Sequence, residues 1–433
     1  MKHIFNPYLL HKAQSYLYDH GLWATIKKII RMDYKNETHH IDVTTTKQLT
    51  HAQFIKADTL TPLEANLWIF PVCAYEHTLT GNDRALFEAI KNNPTIKKVI
   101  LTRSKIIKLD GINVQQMPLQ SHEAQQTLLK APIIFIKHTP RVNVLYPLNA
   151  KKHKFINLWH GIPLKRIGIA SLDLKKDKKV ITTEQAKFYK IIASSAVDRM
   201  AMASAFYPLT YNDIWVTGLP RHDLILQHQD TLPEDFQIEI KRLESLLSSK
   251  KFILFAPTFR NSQKNGYYSF SLHEKEALYN YLSDNNIILG IREHMADTEH
   301  TYTHTLQHPS IIYVQAESFP NIEVLYRRAD LLITDYSSCF IDFMITGKPM
   351  ISFAYDYLHY TKEERGLFYD LELAFAGKIC QNFEDLLKEL KLFISQEVYT
   401  SDETYGFKQR LFFDYIDTHN SDRLITKLLE LKH

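Results

Sequence analysis

Short apolar runs alternate with segments of helical periodicity through most of the chain. Leu67–Val72, Lys98–Leu101, Pro132–Lys137, Phe155–Trp159, Ile191–Ser194 and Ile214–Thr217 read as strands, with helical patterns such as Asp83–Lys91 and Glu184–Lys190 between them. The polar stretch Gln227–Glu234 reads as a linker, after which the alternation restarts. Strands are expected at Phe252–Ala256, Ile287–Arg292, Ile311–Val314, Leu331–Thr334 and Met350–Phe353, with helices near His273–Ser283, Ile322–Arg328, Ser338–Ile345 and Phe383–Ile394. Strands alternating with helices predict parallel sheets with crossover helices. The expected fold class is therefore α/β, with two Rossmann-like domains facing a cleft, one over residues 33–228 and one over 229–395. Residues 1–32 form an N-terminal helical segment in which Tyr8, Leu9, Tyr16, Leu22, Trp23, Ile26 and Ile30 recur near helical spacing beside Lys12, Lys27, Lys28 and Arg31. That face suits an interfacial helix or one packed on the protein's own core. Residues 396–433 are read as C-terminal helices crossing back to the first domain.

A length of 433 residues agrees with two domains. Cys73, Cys339 and Cys380 are few, odd in number and far apart, which argues for a reducing cytoplasm and against a disulfide framework or a cysteine metal site. The first residues lack a signal-peptide pattern, and no apolar run is long enough to span a bilayer. Net charge is only +4, but Lys151, Lys152, Lys154, Lys165, Arg166, Lys175, Lys176, Lys178 and Lys179 crowd one stretch. Such a cluster attracts polyanions or anionic headgroups, or is solvated surface. No nucleic-acid recognition motif accompanies it, and no Gly-x-Gly-x-x-Gly loop points to a dinucleotide cofactor. No cofactor and no metal is called for; the chain has no Asp-x-Asp.

Two segments carry the candidate chemistry. The run Phe155–Trp159 stops at His160-Gly161-Ile162-Pro163-Leu164-Lys165-Arg166. In open α/β sheets ligands sit outside the carboxyl ends of strands. A histidine there, followed by Lys165 and Arg166, fits a base beside an anionic substrate or its phosphates; the alternative is a strand-end histidine capping a turn. The second segment, Leu331–Ile333, leads into Thr334-Asp335-Tyr336-Ser337-Ser338 and then an apolar helical face. A hydroxyl-rich helix start offers donors to an anion, or simply caps the helix.

In family order these and other segments resemble the CDP-glycerol glycerophosphotransferases of teichoic acid and teichoic-acid-like capsule synthesis. His160-Gly161-Ile162-Pro163-Leu164-Lys165 is similar to that family's His-Gly-Thr-Pro-Leu-Lys, and Phe255-Ala256-Pro257-Thr258-Phe259-Arg260 to its Tyr-Ala-Pro-Thr-Phe-Arg. Arg292-Glu293-His294 resembles its Arg-x-His-Pro, Thr334–Ser338 its Thr-Asp-Tyr-Ser-Ser, and Arg365–Asp370 its Arg-Gly-x-Tyr-x-Asp. Gly81–Leu86 is similar to its Asn-x-x-Ala-Leu helix start, and Gly218–Asp223 to its Gly-x-Pro-Arg-x-Asp, where Arg221 either faces the cleft or, the favoured reading, holds Asp223 at the hinge. Ile162 replaces the usual Thr and Met295 the usual Pro.

The resemblance implies a GT-B arrangement and a CDP-glycerol or CDP-ribitol donor. An acceptor hydroxyl attacks phosphorus and CMP leaves, with His160 as general base and His294 as a second catalytic histidine. Thr258, Arg260, Arg292, Thr334, Asp335, Ser337 and Ser338 are expected at the donor phosphates, and Lys165 and Arg166 at acceptor or phosphate. The acceptor is expected to be a lipid-linked saccharide or polyol phosphate, extended by one or a few units in a priming step. The site of action is expected to be the cytoplasm, peripheral at the inner face of the bacterial membrane. A GT-B nucleotide-sugar glycosyltransferase and a non-catalytic donor-binding subunit are the competing readings.

Overall fold

The computed structural model describes residues 48–431, apart from 75, 104–106, 173, 175–176, 260–265, 295–296, 298, 364–365 and 396–402. The expected segment 1–32, together with Lys175, Lys176 and Arg260, lies outside the described residues.

Two parallel sheets organise the chain. The first contains β1 (Leu67–Pro71), β2 (Lys97–Thr102), β3 (Val114–Pro118), β4 (Ile133–Ile136), β5 (Lys154–Asn157), β6 (Phe188–Ala193) and β7 (Ile214–Val216). Its spatial order is β3-β2-β1-β4-β5-β6-β7. The second contains β8 (Lys251–Phe255), β9 (Ile287–Ile291), β10 (Ile311–Tyr313), β11 (Leu331–Thr334), β12 (Met350–Phe353) and β13 (Lys378–Cys380), in the order β10-β9-β8-β11-β12-β13. Central strands such as β1, β4 and β11 are buried along their whole length, because crossover helices cover both faces. This is why they read as unbroken apolar runs.

Strands β3 and β13 were not expected. Both are edge strands: β3 is interrupted by two glutamines, Val-Gln-Gln-Met-Pro, and β13 is only three residues long, Lys-Ile-Cys, so both escape an apolar-run criterion. The helix expected at Glu184–Lys190 is also displaced. It occupies Lys178–Gln185, and Phe188–Lys190 opens β6, where an aromatic pair and register with β5 favour the extended form.

The halves share a packed floor. The Arg221–Leu226 helix lies against the Ile322–Arg328 helix, and Leu219, Leu224, Val324 and Leu325 belong to one buried apolar cluster. Arg84 adds a bidentate bond to Asp235, at 2.6 and 2.7 Å. The Asn420–Leu429 helix packs back on the Gly81–Ile90 and Arg221–Leu226 helices. There Asp223 accepts from the Asn420 and Ser421 backbone N–H groups and from Asn420 Nδ2. Gly218, at φ +74°, allows this approach: a Cβ on it would stand 1.6 Å from Asn420 Oδ1.

Candidate active site

Both sheets reverse strand order once, between β1 and β4 and between β8 and β11. Such switch points leave a crevice at the carboxyl ends of the strands. A cavity of about 480 Å³ opens there between the halves. Glu76 and Lys137 flank the first switch point, after β1 and β4. Thr258 and Ser337 flank the second, after β8 and β11.

His160 is exposed in this cavity, on the loop after β5. The turn carrying it is held from several sides. Trp159 adopts φ +49°, and its N–H donates to Asn157 Oδ1. Asn82 Nδ2 donates to the Leu158 carbonyl at 2.7 Å, and Arg221 Nη1 to the His160 carbonyl at 2.9 Å. Gly161, at φ +146°, lies so close to the opposite half that a Cβ would meet Asp342 Oδ2 at 3.3 Å. Loss of bulk water in the cleft, together with His138, Lys137 and Arg221, pushes the His160 pKa well below 6.5. The nearby Lys137 backbone carbonyl opposes this shift without cancelling it. A neutral imidazole keeps one ring nitrogen as an acceptor, the form a general base requires.

Around this loop the first half supplies a compact charge cluster. Lys137 Nζ reaches both Glu76 oxygens at 2.8 and 2.9 Å, the Thr80 carbonyl at 2.7 Å and Asp83 at 3.4 Å. Burial raises the Asp83 carboxyl to about 7, despite the opposing pull of Lys137. His138 packs behind His160, and burial lowers it to about 4.

The second half supplies donors. Ser337 and Ser338 line the cavity ahead of the Cys339–Met344 helix, and Ser338 makes no side-chain capping bond. Thr258 is buried at the cleft wall with no partner on its Oγ1. Arg292 lines the same wall and donates from Nη1 to the Val314 and Phe319 carbonyls, at 2.8 and 2.7 Å. Burial lowers the Arg292 pKa to about 10, still fully charged at neutral pH. His294 follows, open to the cleft, and desolvation with the Lys165 and Arg292 charges lowers its pKa. Lys165 comes from the first half, its Nζ 5.6 Å from the Tyr360 ring centroid. Among the described residues no group of three or more His, Cys, Asp or Glu is arranged to hold a metal ion.

Thus His160, Lys165, Thr258, Arg292, His294, Ser337 and Ser338 converge on one cavity. Three expected site residues lie behind its wall. The Thr334 hydroxyl donates to the Ala256 carbonyl, joining the ends of β11 and β8. The Asp335 carboxylate accepts from the Thr258 and Tyr336 N–H groups, so it shapes the loop that presents Thr258. Arg166 donates from Nε to the Leu367 carbonyl, and its N–H to the Gly366 carbonyl. Arg221 does not hold Asp223 as expected: it bonds Glu323, Asp342 and the His160 carbonyl. Lysines of the expected basic cluster are partly used internally. Lys152 bonds Asp58, and Lys154 lies over Tyr189.

Sequence reasoning missed Glu76, Lys137, Glu323 and Asp342 as cleft residues, and set the cleft-facing reading of Arg221 second. Lys137 carried a signal, being a lysine at the carboxyl end of an apolar strand. Glu76 and Glu323 carried none.

Two Rossmann-like halves around a cleft lined by cations, hydroxyls and a neutral histidine define a GT-B scaffold equipped for an anionic ligand. The chain belongs to the family described as CDP-glycerol:poly(glycerophosphate) glycerophosphotransferase, whose model matches residues 53–430. It is 28% identical over 299 residues to a teichoic acid poly(ribitol-phosphate) polymerase of Bacillus spizizenii, covering 66% of this chain and 45% of that one. It is 30% identical over 251 residues to a teichoic acid glycerol-phosphate transferase of Staphylococcus aureus, covering 55% and 61%. The chain thus spans about half the length of the curated relatives it matches. Among solved structures, the wall teichoic acid polymerase TagF superposes with a TM-score of 0.67 at 21% identity, covering 85% of this chain and 89% of that one. That likeness agrees with the expected GT-B fold.

Proposed function

We propose that this protein transfers glycerol phosphate or ribitol phosphate from a CDP-alditol to a hydroxyl of a teichoic-acid-like acceptor, releasing CMP. The observation that carries the reading is the opposition of His160 to Thr258, Arg292, His294, Ser337 and Ser338 across one cavity. The second half binds the donor. Arg292 and Lys165 supply positive charge, and the serine and threonine hydroxyls supply hydrogen bonds to phosphate oxygens. The first half binds the acceptor and presents the base. His160, held neutral, takes the acceptor hydroxyl proton as its oxygen attacks the alditol-bearing phosphorus. The bond to the CMP oxygen breaks, and the charge released onto CMP is met by Arg292 of the second half and Lys165 of the first.

Family membership supports this donor class, and relatives named for both glycerol and ribitol phosphate leave both alditols in the proposal. The acceptor we propose is a lipid-linked saccharide or polyol phosphate, primed with one or a few units. Among the described residues no helix is long and apolar enough to cross a membrane, so contact with the inner membrane face is proposed as peripheral. The test is incubation with CDP-glycerol, CDP-ribitol and UDP-sugars, each with saccharide and polyol-phosphate acceptors. CMP release with either CDP-alditol is expected. UDP release from a nucleotide sugar, without CMP release, would assign the site to a glycosyltransferase.

A further inference from the structure

One guanidinium at the cleft floor reaches three separate groups. Arg221 is buried at the start of the Arg221–Leu226 helix, after β7. Its Nε and Nη2 approach Glu323 Oε1 at 2.9 and 2.7 Å, while Nη1 lies 3.2 Å from Asp342 Oδ2 and donates to the His160 carbonyl. Glu323 and Asp342 stand on two different helices of the second half. A first-half side chain therefore grips both of those helices and, with the same fork, supports the loop that carries His160.

We infer that Arg221 is a positioning residue for phosphotransfer: it fixes the His160 loop against the second half and offsets two carboxylates that face the donor. The inference rests on the transferase reading above. Its first part follows from the backbone. Trp159 lies in the left-handed region, where a side chain costs about 1–2 kcal/mol. Such a turn persists only when its surroundings over-determine it. Asn82 and Arg221 do so, through the Leu158 and His160 carbonyls, and Asn82 Oδ1 in turn accepts the Arg221 N–H at 3.1 Å. Without the guanidinium the His160 carbonyl loses its donor and the turn relaxes.

The second part is electrostatic. Glu323 and Asp342 both line the cavity. Burial alone would raise the Asp342 carboxyl, but Arg221 and the His222 bond hold it below the usual aspartate value, so it is ionised. Removing the guanidinium leaves two negative charges beside the donor diphosphate. The two parts separate chemically, because lysine keeps the charge but not the planar three-way fork.

The experiment compares R221K, R221M and R221M/E323Q in the CMP-release assay, with thermal midpoints as a folding control. Donor KM is expected to rise about tenfold in R221M and to recover toward wild type in R221K and in R221M/E323Q. A kcat loss of about 10²-fold is expected in all three, the scale of an ångström-sized misplacement. Wild-type kcat in R221M would overturn the inference. So would parallel loss of kcat and donor affinity in all three variants, tracking their thermal midpoints. If wild type releases no CMP from either CDP-alditol, the transferase reading fails by itself. The positioning role is then read from the His160 imidazole by NMR, with its signal identified by its loss in H160Q. R221M is expected to shift that signal and raise its titration; an unchanged signal and titration would overturn the inference.

Discussion

The imidazoles of His138 and His160 lie side by side at the ends of β4 and β5, with ring centroids 5.2 Å apart. Burial lowers His138 to about 4, and desolvation followed by His138 itself depresses His160. A general base works in its neutral form, so its activity is lost as pH falls through its own pKa. The acid limb of kcat/KM should therefore lie well below the ordinary histidine value of about 6.5, with a flat rate through neutrality. H138Q should move the limb up toward neutral pH. Identical limbs in the two proteins would remove His138 from the titration of the base.

His160→Ala should reduce transfer by about 10²–10⁴-fold while donor affinity stays near wild type, since the base acts on the acceptor. His294→Ala and Ser337→Ala should weaken donor binding as well as rate. Steady-state kinetics alongside calorimetric titration of CDP-glycerol separate these outcomes. Unchanged donor affinity in both latter variants would take them out of the phosphate site.

Away from the cleft, Asp58 is a buried carboxylate that accepts from His153 Nε2 at 2.7 Å, Lys152 Nζ at 3.0 Å and the Asn149 N–H at 2.7 Å. Burial would raise its pKa, but the His153 bond and the other two donors leave it lowered. Asp58→Ala strands His153 and should cost about 3–5 kcal/mol at pH 7. Because the folded pKa is depressed, this contribution is present above the unfolded value of about 3.9 and vanishes as pH falls through the folded one. Urea unfolding at pH 7 and below pH ~3 should show the wild-type advantage shrinking on acidification. A constant difference would mean the carboxylate charge is irrelevant there.

Binding to anionic vesicles, absent with neutral lipid and weakened by salt, is expected if the basic stretch 151–179 and the segment 1–32 meet the membrane. Each basic side chain near such a surface contributes on the order of 1 kcal/mol. Deleting the first 30 or so residues should reduce binding further. Sedimentation showing equal binding to both lipids, or to neither, would assign the lysines to acceptor phosphates or to solvent.

The cleft residues legible in the sequence share one property. His160, Thr258, Arg292, His294 and Ser337 each follow an apolar run closely, so the strand-end rule finds them. That rule says which residues lie near the crevice but not which way they point. Thr334 and Asp335 sit in the same segment as Ser337, yet turn inward to tie β11 to the loop after β8. Glu323 was hidden for a different reason. It opens an ordinary amphipathic helix, and its partner Arg221 is 102 residues away. Strand β3 was hidden by its glutamines, tolerated on a sheet edge, and β13 by its length of three residues.

The segment just after His160 pairs with a segment from the far side of the chain. Lys165 and Leu367 form an antiparallel bridge, flanked by Arg166 N–H to the Gly366 carbonyl and Phe368 N–H to the Leu164 carbonyl. Main-chain stitching next to His160 makes this margin of the cleft a spine. The halves cannot swing apart like jaws without tearing it. Opening the cleft along this margin would break main-chain hydrogen bonds worth about 0.5–1.5 kcal/mol each, whereas among the described residues the opposite margin is free of that cost.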